Sequence, residues 1–129
     1  MVDINWQFQA AIQGGPVLAT NQPVIKVGGY DYIQVTVAAQ TNNVAVPIQP
    51  AAAAGDVIFM AVVSDVYDPG VTYSVDAIGA NHILDGPHLL IGSGAVSLLN
   101  NNAPPKLLTF NNTLTKPVDV QVIVGRKVP

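Results

Sequence analysis

The amino-acid sequence predicts an all-β protein: an antiparallel β-sandwich, jelly-roll-like, that occupies residues 1–129 as a single domain. Stretches of apolar residues recur at the spacing of short strands, and turn residues separate them. No helical stretch is long enough for the crossover that joins parallel strands. The chain is long enough to bury a sizeable core, but it leaves no room for a second domain.

The polar residues also favour strands joined by tight turns. The sequence contains ten Asn and eight Gln, and all eight acidic residues are Asp. Asn and Asp favour turns, whereas Glu and Lys favour helix interiors. Helix is therefore expected to be the minority state.

The composition excludes several function classes. The five basic residues form no stripe of the kind that binds phosphates, so we expect no nucleic-acid partner. Because cysteine is absent, the chain has neither a disulfide framework nor a thiolate zinc site. The N-terminus lacks the basic and apolar regions of a signal peptide, and no apolar run approaches the roughly 20 residues of a membrane helix. We therefore expect no secretory signal and no membrane partner.

The first half of the chain is predicted to consist mainly of strands. From Val2 to Ile12 every even position is apolar, which predicts one strand with one face on a core. Residues 50–55 place four alanines between a proline and a glycine, which predicts a short helical turn or an ordered loop. Residues 57–63 are apolar without alternation, so they predict a central strand covered on both sides or a strand that meets another subunit. Further strands are predicted at 16–20, 24–27, 30–38 and 44–48.

The second half begins with a turn and contains short strands. In Asp68-Pro69-Gly70, Pro presets the first central residue of the turn and Gly permits a positive φ after it. The last strand carries four valines on one side. The predicted elements are a strand at 71–78, a loop at 79–88, one or two short strands bent at Gly92 and Gly94 within 89–99, a loop at 100–105, and strands at 106–112 and 117–125.

The stretch HILDGPH holds both histidines and is a candidate metal site. His82, Asp85 and His88 are three residues apart, and two imidazoles with a carboxylate suit zinc if the loop curls. The same residues are ordinary turn chemistry, and metal ligands usually come from separate elements. The turn is the favoured interpretation, and we expect no metal and no other cofactor.

The sequence offers few residues for catalysis, because it has no Cys, no Glu and two His. Ser93 lies in IGSGAV, which does not match the G-x-S-x-G of a nucleophile elbow, and no helix is expected after it. We therefore expect that the protein is not an enzyme.

Two tyrosines are the candidate ligand-binding residues. Tyr30 and Tyr32 share one face of a predicted strand, while the apolar residues of that strand take the other face. The tyrosines are therefore free to contact a partner or a sugar ring. Trp6, in contrast, lies on the apolar face of its strand and is expected in the core.

The low charge indicates self-assembly. Monomers usually protect their edge strands with charged residues. Only 10% of all residues in this chain are charged. We therefore predict a homo-oligomer, such as a trimer, whose copies cover one another's edges. The alternative is a carbohydrate-binding β-sandwich module that uses Tyr30 and Tyr32.

Two segments, GDVIFMAVVSDVYDPGVTYSV and LLTFNNTLTKPVDVQVIVGRKVP, resemble small β-sandwich proteins associated with phage and prophage virions. The resemblance covers about half of the chain. It implies a structural part in a capsid, as a decoration protein, or in a tail, with identical copies and other virion proteins as partners. It also implies that the protein is located in the virion.

Overall fold

The computed structural model describes residues 2–19, 24–48, 56–76, 78–100 and 105–128. This part of the chain is built from strands and one short helix, so the predicted all-β fold class is confirmed. The elements are β1 (Val2–Asn5), β2 (Gln9–Ala11), β3 (Val17–Ala19), β4 (Val24–Val27), β5 (Gly29–Val37), β6 (Thr41–Pro47), β7 (Val57–Ser64), β8 (Val71–Val75), β9 (Ile78–Ile83), β10 (His88–Ile91), α1 (Ser93–Asn100), β11 (Leu107–Asn112) and β12 (Val118–Arg126).

The strands from β5 to β12 pair like one long antiparallel hairpin that has been rolled up. β5 pairs with β12, β6 with β11, β7 with β10, and β8 with β9. Rolling this hairpin produces a first sheet in the order β10-β7-β12-β5 and a second sheet in the order β6-β11-β8-β9. The two sheets form the predicted jelly-roll sandwich.

In each sheet one strand joins two strands that precede it in the chain. β12 lies between β5 and β7, and β11 lies between β6 and β8. Both joining strands therefore complete their sheets through long-range pairings.

The core lies between the two sheets and is filled by the side chains at alternate positions of each strand. The even positions of β12 point inward, as the sequence predicted, while Asp119 and Gln121 point outward. Tyr73 and Phe110 of the second sheet pack against each other there, with ring centroids 5.6 Å apart. The fully buried residues that β12 contributes are Val118, Val120, Val122 and Val124.

β7 is an interior strand that is covered on both faces over part of its length. Met60 and Val62 face the core and are fully buried, and Phe59 on the opposite face is also buried. The predicted central strand is therefore confirmed for this part of β7. Ala61 and Val63, on the same outer face as Phe59, are only half-buried.

The cover over Phe59 comes from β1 and β4, which form a two-stranded ribbon on the outer face of the first sheet. Val27 of this ribbon is fully buried. A Cβ atom on Gly125 of β12 would lie 2.8 Å from Val27 Cγ1 and 3.1 Å from Ile4 Cδ1. The ribbon therefore rests directly on the backbone of β12, and glycine permits this close approach.

Asn112 is a fully buried polar residue that joins two loops. Its Nδ2 donates to the carbonyl oxygens of Val37 and Ala38, both at 3.2 Å, and of Lys116 at 2.9 Å. Its Oδ1 accepts from the N–H of Leu114 at 2.9 Å. The side chain therefore links the loop after β5 to the loop after β11.

The Asp68-Pro69-Gly70 turn is confirmed, but its glycine is required for a different reason. The N–H of Val71 donates to the Asp68 carbonyl at 2.9 Å, and the Asp68 carboxylate accepts from the N–H of Gly70 at 2.8 Å. Gly70 is not among the described residues with positive φ. A Cβ there would lie 2.6 Å from Thr113 Oγ1, so glycine provides space rather than conformational freedom.

The prediction of one or two short strands bent at Gly92 and Gly94 within residues 89–99 is confirmed only for the first residues, which lie in β10. β10 ends at Ile91, Gly92 takes a φ of 94°, and α1 then begins at Ser93. Val96 is buried and Leu99 packs against the core. Burial of one face stabilises a helix that is too short to form alone. A helix therefore follows Ser93, contrary to expectation.

Two other predictions are wrong in part. Residues 79–88 do not form a loop throughout, because pairing with β8 extends β9 to Ile83. The predicted strand at residues 2–12 is split, since β1 pairs with β4 whereas β2 pairs with β3. The remaining strand predictions agree with the structure within a few residues. The predictions for 50–55 and for most of 100–105 lie outside the described residues.

Among the residues that the structure describes, no helix is long and apolar enough to cross a membrane.

Candidate interaction surfaces

β2 and β3 form a hairpin, residues 9–19, which we call the arm. Ile12, Val17 and Leu18 of the arm are 66%, 60% and 65% exposed. Each strand has three residues, and the two form a sheet of their own. A hairpin of this size is marginally stable in water, so the arm would gain stability from a second surface.

The arm lies within an uncharged stretch of the sequence. No Asp, Glu, Lys or Arg occurs from residue 4 to residue 25. Charged residues are a common protection of exposed strands against pairing with other chains. The arm lacks this protection and also exposes large apolar side chains.

An apolar hollow of about 760 Å³ lies between the arm and the first sheet. Its floor is the half-buried part of the outer sheet face, and its rim includes the segment between β1 and β2. Trp6 stands at this rim, half-buried, rather than in the core between the sheets where it was predicted. The residues that line the hollow include Trp6, Phe8, Leu18, Ala19, Ala61, Val63, His88, Leu89 and Ile91.

The indole of Trp6 has an unused hydrogen-bond donor. Its Nε1 atom is buried and has no hydrogen-bond partner among the residues that the structure describes. A buried indole N–H normally has an acceptor. The indole lines the hollow, but its N–H is enclosed by the chain itself.

The candidate residues Tyr30 and Tyr32 lie on the outer face of β5, an edge strand of the first sheet. They are 50% and 52% exposed, as the alternation of this strand indicates. Gln34, the next residue on that face, donates from Nε2 to the Tyr32 hydroxyl at 2.5 Å. Two aromatic rings and an amide therefore follow one another along the edge of the sheet.

A shallow polar depression of about 390 Å³ continues this row. The pairing of β5 with β12 sets Gln34 opposite Gln121 and Thr36 opposite Asp119. Thr36 Oγ1 donates to Asp119 Oδ1 at 2.6 Å. No local pattern in the sequence brings these four residues together, because β5 and β12 lie far apart in the chain. Their polar, outward positions in the alternation of the two strands are the signal that points to them.

The two histidines meet around Tyr73 and not around Asp85. The Tyr73 hydroxyl is hydrogen-bonded to His88 Nδ1 at 2.6 Å, and the Tyr73 ring centroid lies 5.5 Å from that of His82 and 5.4 Å from that of His88. Tyr73 belongs to the second sheet and His88 to the first, so this bond joins the two sheets. Burial raises the pKa of the Tyr73 hydroxyl well above its usual range, which keeps it neutral.

The third metal candidate, Asp85, is exposed in the turn between β9 and β10. Across the described ranges, no three His, Cys, Asp or Glu side chains form a group that could hold a metal ion. The HILDGPH stretch thus supplies one turn and a contact between the sheets.

Comparisons with family models, curated proteins and solved structures found no match to this chain.

Proposed function

We propose that this protein is a non-enzymatic structural protein that assembles with copies of itself as a component of a virion, in capsid decoration or in a tail. The observation that carries self-assembly is the arm, which is exposed, apolar and uncharged. No residue in its sequence neighbourhood from 4 to 25 opposes contact between copies through like charge.

The area available on the arm suits a reciprocal contact. Full burial of a large aliphatic side chain stabilises by about 1.5–3 kcal/mol, so three side chains that are about two-thirds exposed contribute about 3–6 kcal/mol per arm. Association costs about 4–15 kcal/mol in lost freedom of motion. One arm is therefore too weak, whereas two or more arms in a symmetric assembly reach the required range.

The fold, and the resemblance to phage virion proteins, support the proposal that the protein assembles as part of a virion. Jelly rolls form viral capsid domains and lectin domains, which are the two function classes that the sequence leaves open. The segments at 55–75 and 107–129, which resemble phage virion proteins, form four of the eight sandwich strands, β7, β8, β11 and β12.

Light scattering coupled to size-exclusion chromatography, over a range of protein concentrations, tests the proposal. We expect a stable closed assembly of two or more copies. A mass that stays near the 13.4 kDa of one chain at every concentration would refute self-assembly.

The row of Tyr30, Tyr32 and Gln34 favours a second candidate function, the binding of a neutral carbohydrate. Tyrosine rings stack on sugar rings, and the adjoining amide, hydroxyl and carboxylate groups suit sugar hydroxyls. A glycan array with the wild-type protein tests this, and we expect binding to be lost in Tyr30→Ala and Tyr32→Ala. Tyr67→Ala is the control, since Tyr67 is also exposed but is not part of this row. Absence of binding across a broad array would exclude this function.

A further inference from the structure

We infer that the arm of one copy seats in the apolar hollow of a second copy, and that the second copy returns its arm to the first. This inference rests on the proposed self-assembly and identifies the surfaces that make the contact. The arm is residues 9–19, and the hollow lies against the outer face of β7 and β10, with Trp6, Phe8 and the chain's own Leu18 and Ala19 in its lining.

The contacts within one chain show that the two surfaces fit each other. Leu18 and Ala19 of the arm already line the hollow beside Ala61 and Leu89. The arm leaves about 760 Å³ of this space open, while most of the Leu18 surface remains exposed. The arm of a second copy therefore finds open space against the same sheet face, beside the first arm, and the contact can be reciprocal between two copies.

The chemistry of the two surfaces is also complementary. No Asp, Glu, Lys or Arg lines the hollow, and none lies in the arm. Burial of the arm therefore desolvates no charge, which would otherwise oppose association.

The arm is already ordered for binding. At its tip, the N–H of Gly15 donates to the Ile12 carbonyl at 2.7 Å, and the N–H of Ile12 donates to the Pro16 carbonyl at 3.0 Å. Gly14 takes a φ of 74°, which a tight turn of this kind requires. These two hydrogen bonds fix the turn, so docking has to order less of the arm than it would in a segment without a turn.

Replacement of an exposed apolar residue of the arm tests the contact. We expect Leu18→Asp to shift the assembly toward monomer, with an association constant at least ten-fold lower, because a carboxylate would enter an apolar hollow. Leu98→Asp is the matched control, since Leu98 is 79% exposed on α1 and lies outside the arm and the hollow. Circular dichroism is used to check that both variants remain folded.

A crosslinking experiment tests the exchange directly, because the chain contains no cysteine. Leu18→Cys and Leu89→Cys are prepared as separate single variants of different mass, mixed, and oxidised. A disulfide between the two variants can form only between copies, and we expect it to form in far higher yield than with Leu98→Cys in place of Leu18→Cys.

The outcomes separate the inference from the proposed function. If the wild type is a monomer, self-assembly fails and the exchange fails with it. If the wild type assembles but Leu18→Asp assembles equally well, and the mixed disulfide forms no better than the control, only the exchange is wrong.

Discussion

The packing of the β1–β4 ribbon on Gly125 leads to a quantitative prediction. In Gly125→Ala the new Cβ would lie 2.8 Å from Val27 Cγ1, 3.1 Å from Ile4 Cδ1 and 3.1 Å from Phe59 Cβ. Val27 is fully buried and Phe59 nearly so, which leaves them little space to move. Forcing a methyl group into such a site costs about 1–3 kcal/mol.

A second effect acts in the opposite direction. Replacing a strand glycine with alanine reduces the entropy of the unfolded chain and contributes about 0.5–1 kcal/mol of stability. We therefore expect Gly125→Ala to lower the free energy of unfolding by about 0.5–2 kcal/mol. Removal of the opposing methyl groups in Val27→Ala should relieve the clash, so the double variant should be more stable than the sum of the two single changes predicts.

Urea denaturation followed by circular dichroism measures these differences, at one fixed protein concentration because assembly adds to apparent stability. Gly86→Ala is the control, since a Cβ at Gly86 meets no atom within 4 Å. If Gly125→Ala were as stable as the wild type, or if its effect were independent of Val27, the ribbon would not rest on β12 as the structure shows.

The same denaturation assay tests three further predictions. Asn112→Ala should lower the free energy of unfolding by about 2–4 kcal/mol, because it leaves buried backbone groups without partners. Asn111→Ala, on the opposite face of β11, should lower it by no more than about 1 kcal/mol. Equal effects would contradict the role of the buried amide. Tyr73→Phe should cost about 1–2 kcal/mol through the lost bond to His88. The fold raises the pKa of Tyr73 above its ordinary 10.0, so the neutral hydroxyl contributes stability that is fully present below about pH 10 and is lost as the pH rises. The free energy of unfolding should therefore fall less steeply above that pH in Tyr73→Phe than in the wild type. An unchanged slope would contradict this. Gly94→Ala, in α1 with open space around it, should stabilise by up to about 1 kcal/mol, and a clear loss of stability would contradict the helix.

The strands could be predicted wherever one face is buried and the other is not. In β5 and β12 the alternation of apolar and polar residues reports this difference directly, so it predicted both the inward valines and the exposed Tyr30 and Tyr32. The fold class followed from these local patterns together with the turns. The order of the strands in the sheets depends on pairings between distant segments, which no local pattern contains.

The elements that were missed depend on tertiary contacts. The GSG stretch before Ala95 favours a bend, and α1 forms there because Val96 and Leu99 find an apolar surface. The hollow beside the arm is likewise built from segments far apart in the sequence. His82 and His88 could be identified as notable residues, but the residue between them, Tyr73, belongs to a different strand and could not.

The position of β12 between β5 and β7 has a consequence for the synthesis of the protein. A chain emerging from the ribosome releases β5 and β7 long before residues 118–126, and the two strands then have unpaired edges on the side that β12 later occupies. β6 and β8 likewise have unpaired edges until β11 has emerged. The nascent jelly roll therefore cannot close either sheet until its joining strands have emerged, and its folding is governed by these late, long-range pairings.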